Sequence, residues 1–155
     1  MTPFRTSVCG IQELAGHCEA QVSHVVSILD PDWPVPQAFG DFGEHERLEL
    51  RFHDVIEPEV GMIVPEAEHV EELLAFGRDL TSGAHLLVHC HAGVSRSSAS
   101  MALIIAQAMP ALAADRVFSE VLRIRPVAWP NLRIVELGDA QLGRGGALTT
   151  ALHDL

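Results

Sequence analysis

A chain of 155 residues, 48% apolar and 20% charged, has the length of one domain and enough apolar side chains for one core. No apolar run reaches the eighteen or so residues of a membrane span, which excludes a transmembrane protein. Its ten basic residues, all arginine, face twenty-one acidic ones for a formal charge of −11; this opposes an extended nucleic-acid surface, and the lack of lysine removes Schiff-base chemistry and the lysine-containing nucleotide loop.

In chain order, β-branched apolar runs predict strands over residues 22–29, 48–52 and His85–His89. The first twenty residues carry no pattern that places them. A Pro-rich stretch, 30–43, reads as a surface loop able to shape a pocket rim. Between the second and third strands, residues 65–80 set Val70, Leu73, Leu74 and Leu80 near one helical face, with Pro65 in the first turn. A helix over 97–109 is small and apolar on nearly every side, as one buried on a sheet must be, and Pro110 stops it. Two more helices are expected over 115–124 and 130–142, the latter closed by Gly143. Alternating strands and helices predict an α/β fold, a central and largely parallel sheet flanked by helices in a single domain over 1–155. The double glycine and weak pattern of 144–155 predict a loosely ordered tail. Cys9, Cys18 and Cys90 follow no scaffold spacing, and the start lacks an apolar leader, so the expected location is the reducing cytoplasm.

The chemistry concentrates where the third predicted strand meets its helix, in His89-Cys90-His91-Ala92-Gly93-Val94-Ser95-Arg96-Ser97. A loop at a helix N-terminus gathers unpaired backbone N–H groups into one concavity, and the helix dipole adds positive potential, so the site suits an oxyanion. Cys90 at its base has the setting of a nucleophilic thiolate. Arg96 can grip two phosphoryl oxygens through its planar fork, Gly93 lets the loop curl, and Ser97 is positioned to donate its hydroxyl to the departing sulfur. Residues His91 to Arg96 form the phosphate-binding stretch.

This Cys90–Ser97 segment resembles the signature loop of the cysteine-dependent protein phosphatases, and Ala92-Gly93-Val94-Ser95-Arg96-Ser97 looks most like their dual-specificity branch. The resemblance implies a tyrosine-phosphatase-like fold and hydrolysis of phosphomonoesters through a phosphocysteine, without metal or other cofactor. It implies a supporting role for His89 and an upstream general acid, which Asp54 matches; Glu57 and Glu59 are the rivals close by. Arg125-Pro126 and Pro130-Asn131 resemble the family's last helical segment. Expected partners are a phosphorylated protein or a small phosphomonoester, with phosphate or sulfate able to occupy the loop, and neither nucleic acid nor membrane. The absence of tyrosine, whose side chain deepens the pocket of the tyrosine-specific branch, favours a shallower dual-specificity site. Absence of lysine and abundant alanine suggest a GC-rich bacterial genome.

Two other readings use the same residues. A rhodanese-like sulfurtransferase also cradles a cysteine before a helix, carrying a persulfide, and a phosphate-binding pseudophosphatase would keep the loop while misplacing the acid. A zinc site at His85, His89, Cys90 and His91 is disfavoured because adjacent strand side chains point to opposite faces.

Overall fold

The computed structural model describes residues 2–155. Four strands, β1 (Arg5–Cys9), β2 (His24–Leu29), β3 (Glu46–Arg51) and β4 (His85–His89), make one sheet in the order β1-β4-β2-β3. Every pairing is parallel, with Cys9 opposite His89 and Ser27 also opposite His89. The helices are α1 (Ala67–Arg78), α2 (Arg96–Ala108), α3 (Ala114–Ile124), α4 (Leu132–Leu142) and α5 (Ala147–His153). The expected central parallel sheet with flanking helices is thus the architecture found.

Side-chain alternation divides the core in two. On one face Val26, Ile28, Leu86 and Val88 pack with Leu73, Leu103, Ile104, Phe118 and Val121 of the helices. On the other, Val25 and Leu87 meet Leu14 and Phe39, carried by 3₁₀ segments at Ile11–His17 and Gln37–Asp41. Helix α2 is buried from Arg96 through Ala106, which explains why its sequence shows no polar face.

Strand β1 escaped the sequence reading because it lies at the sheet edge, where only Val8 and Cys9 of its five residues are buried. The expectation of a loose tail over 144–155 is corrected. Residues Ala147–His153 form α5, anchored by the fully buried Leu148. The buried carboxylate of Asp139 accepts from Gly146 N at 2.7 Å and Leu148 N at 2.8 Å. A carboxylate on the first free amides of a helix offsets their loss of solvent, and Gly143, Gly145 and Gly146 take the positive φ that the reversal requires.

In an all-parallel sheet every strand ends at the same edge, and the connections leaving that edge build the site. Here those are Gly10 after β1, Asp30 after β2, Phe52 to Asp54 after β3, and Cys90 after β4. Residues far apart in the chain therefore meet around one loop.

Candidate active site

Between β4 and α2 the carbonyls of the loop all find partners outside it. Cys90 O lies 3.0 Å from His89 Nδ1, and His91 O accepts from Ile11 N at 2.9 Å. Ala92 O and Gly93 O accept from the Arg125 guanidinium at 3.2 and 2.9 Å. Val94 O accepts from Trp129 N at 2.8 Å and from Ser98 Oγ at 2.6 Å, and Ser95 O accepts from Ala99 N and Asn131 N. A peptide group whose C=O points outward points its N–H inward. Among the described residues, no protein acceptor is hydrogen-bonded to the amides of His91 through Ser95. The chain has built a concavity of backbone donors at the N-terminus of α2, which is an anion-binding geometry.

Close approach to β1 sets the loop's curvature. Gly93 has φ +72°, and a Cβ there would stand 2.5 Å from Cys9 C and from Gly10 N. Gly10 is equally constrained, since its Cβ would lie 2.8 Å from His91 O. Arg125 is oriented from its other side by Glu13, with contacts of 2.7 and 2.9 Å. That pairing and the Gly10 amide hold the Glu13 carboxyl down at about 2.

At the base of the loop, Cys90 is buried and its Sγ is hydrogen-bonded to the fully buried Ser97 Oγ at 3.1 Å. Arg96 is buried as well. Its Nη1 donates to Asp30 Oδ1 at 2.7 Å and to Phe52 O at 2.8 Å, so one corner of the guanidinium is fixed by the ends of β2 and β3. Its buried Nε has no partner. Buried polar atoms without partners are rare and costly, and this one belongs to a group suited to binding an oxyanion through two adjacent nitrogens.

Two histidines belong to β4 and one to the loop that follows it. His89 is buried, with Nε2 2.6 Å from Ser27 Oγ; burial pushes its pKa down to about 4. His85 lies on the same face, 2.8 Å from Ser7 Oγ and 3.0 Å from Ala20 O. The His91 ring accepts from Asp30 N at 3.1 Å and meets Trp33 edge-on at 4.7 Å between centroids. Burial lowers the pKa of both His85 and His91. Among the described residues, no group of three or more His, Cys, Asp or Glu side chains is arranged to hold a metal ion.

Asp54 enters from the connection after β3. Its Oδ1 accepts from Ser95 Oγ at 2.7 Å and from Asn131 Nδ2 at 2.9 Å, which brings it to the residue preceding Arg96. Glu57 and Glu59 stand farther along on the rim of a cavity of about 710 Å³ that Asp54 and Ser95 also line. Cys90, Arg96, Ser97 and Asp54, the side chains expected from the sequence, lie in one neighbourhood of the fold. Asp30, Glu13 and the bracing roles of Arg125 and Asn131 are visible only in the structure. Only the Arg125-Pro126 and Pro130-Asn131 dipeptides gave a signal, because Glu13 and Asp30 act on partners 112 and 66 positions away.

No protein-family model matches this sequence, and no curated protein matches it. Solved structures do match in three dimensions. Human DUSP28 superposes with a TM-score of 0.63 at 21% identity, covering 96% of this chain and 94% of that one. Tk-PTP in its active form gives 0.62 at 21% identity over 90% and 92% of the two chains. The PTP-2 phosphatase of Cydia pomonella gives 0.67 at 24% identity over 88% and 84%. The likeness establishes the fold: this chain is built like the protein tyrosine and dual-specificity phosphatases.

Proposed function

We propose that the chain is a metal-independent phosphomonoester hydrolase of the protein tyrosine and dual-specificity kind, acting in the cytoplasm through a phosphocysteine intermediate. The observation that carries this reading is the loop whose carbonyls from Cys90 to Ser95 are all bonded outward while its amides face in. Such a cradle, closed by the unpartnered Nε of Arg96, suits a tetrahedral dianion and the charge it carries during transfer.

In the first step Cys90 Sγ, as thiolate, forms a bond to phosphorus as the bond to the ester oxygen breaks. Asp54 gives its proton to the departing oxygen. Arg96 and the amides of His91 to Arg96 hold the equatorial oxygens in line. In the second step Asp54 takes a proton from water, the resulting oxygen bonds to phosphorus, and the sulfur leaves with its electron pair while the Ser97 hydroxyl donates to it. His89 supports the loop through the Cys90 carbonyl, and Asp30 fixes the angle of Arg96. Asp54 is preferred to Glu57 and Glu59 because it alone of the three is bonded to the loop. A phosphorylated protein is the proposed substrate.

Hydrolysis of para-nitrophenyl phosphate and of a phosphopeptide panel, in the presence of chelator, tests the reading. The wild type is expected to turn over. Cys90→Ser is expected to lose turnover while inorganic phosphate still raises its melting temperature. Full activity in that variant, or sulfur transfer from thiosulfate to cyanide in place of phosphate release, overturns the proposal.

A further inference from the structure

Large apolar side chains are unevenly distributed over the surface. Among the described residues nine are strongly exposed, and eight of them lie in three connections: Trp33 and Val35 after β2, four residues including Ile56 and Val60 after β3, and Val127 and Trp129 between α3 and α4. All three connections touch the Cys90–Arg96 loop or its bracing residues. Trp33 packs on His91, the Trp129 amide bonds to Val94 O, and the chain after β3 carries Asp54. An apolar surface gathered at one place marks an interaction site.

Two of these side chains, Ile56 and Trp129, line a cavity of about 710 Å³ beside Asp54, together with Leu155, the ninth. Asp54 and Ser95 line it, with apolar walls from Ile56, Trp129, Leu132 and Leu152. Glu57, Glu59 and His153 also line it, on a chain with eleven more acidic than basic residues and no lysine. Apolar walls select an apolar group, and the carboxylates of Glu57 and Glu59 select a cation beside it. An acyl chain has no use for those carboxylates, and the negative charge repels the anionic surface from which a lipid phosphate would be drawn.

From this, and resting on the phosphatase reading above, we infer that the trough is a specificity subsite for a phosphorylated peptide with an apolar side chain next to the phosphorylated residue and a basic one beyond it. The phosphate sits in the loop, the ester oxygen faces Asp54, and the adjoining apolar side chain lies between Ile56 and Trp129. Peptides with acidic flanks are disfavoured by Glu57 and Glu59.

The test compares kcat/KM on two phosphopeptides sharing one phosphorylated residue, one flanked by Leu and Arg and the other by Asp, with para-nitrophenyl phosphate as a third substrate and phosphatidylinositol phosphate in mixed micelles as a fourth. The apolar and basic peptide is expected to be preferred by about tenfold or more, the usual range for filling one apolar site. Ile56→Glu and, independently, Trp129→Ala are expected to cut that ratio to about threefold or less. Both side chains are exposed, so one folded variant suffices. Equal kcat/KM on the two peptides, an unchanged ratio in the folded variants, or preference for the micellar lipid overturns the subsite while leaving the phosphatase reading in place. Failure to hydrolyse any of the four substrates overturns that reading and the subsite together.

Discussion

Two loops meet at the edge of the sheet and are held in opposite ways. The Cys90–Arg96 loop is fixed at every carbonyl, enclosed by β1 on one side and Arg125 on the other, and its key side chains are buried. The stretch from His53 to Ile63 is exposed for most of its length. It is closed by its own pair, His53 N to Ile63 O and Ile63 N to His53 Nδ1, and tied to the rest through Asp54, Val55 and Asn131. For the proposed function the cradle must hold its donors in place before the anion arrives, because preorganised dipoles cost nothing to orient during reaction. In the proposed reaction the arm has one proton to deliver, and a few side-chain hydrogen bonds hold it near Ser95.

Four perturbations would break or sharpen this contrast. The largest effect is expected from Asp54→Ala, which leaves the carbonyl anchors of the cradle intact and removes the proposed proton donor. Turnover of an alkyl phosphate should fall by about 10²–10⁴-fold, and that of para-nitrophenyl phosphate by less, as steady-state kinetics across leaving groups would show. An equal loss for both esters would refute the assignment.

Gly93→Ala attacks the cradle. With φ +72° and a Cβ 2.5 Å from two backbone atoms of Cys9 and Gly10, the variant should lose about 3 kcal/mol in urea unfolding, along with its response to phosphate. Wild-type stability there would mean the loop is free to shift.

Acid probes the support beneath the cradle. Burial takes His89 from its ordinary 6.5 to about 4, so between these values the unfolded chain binds a proton that the folded chain refuses. Stability should therefore fall by up to about 3 kcal/mol as pH drops from 6.5 towards 4, with His85 and His91 acting in the same direction. Urea midpoints measured across that range check it, and His89→Gln should flatten the slope.

The smallest effect is expected at the tie between the two loops. Asn131 donates to Asp54 and Val55 O and caps α4 by accepting from Ile134 N at 3.0 Å. Asn131→Ala should cost about 1 kcal/mol of stability and slow turnover by about threefold, whereas Asn131→Ser should recover the cap and not the contact with Asp54. Stopped-flow kinetics on both variants separates the two roles.

The contrast also explains what could be read from the letters. The cradle was legible because its parts are local: a strand, a turn needing glycine, an arginine and a serine within eight positions. Asp54 was legible only through resemblance, since a carboxylate two residues past a strand has no pattern of its own. Asp30, Glu13 and Arg125 were not legible as partners because a parallel sheet brings strand ends together whatever their separation along the chain. Helix α5 was hidden for another reason. Its anchoring depends on the buried Asp139, and an acidic residue in an amphipathic segment reads as solvent-facing until the fold shows which amides it meets.

The outward turn of the loop's carbonyls has a further consequence. Main-chain dipoles do not titrate and are not supplied by side chains, so the anion hold proposed for the loop is indifferent to what stands at Ala92 or Val94. Those two positions can be redecorated to suit a different molecular body while the grip beneath them persists, which separates the evolution of selectivity from that of the chemistry.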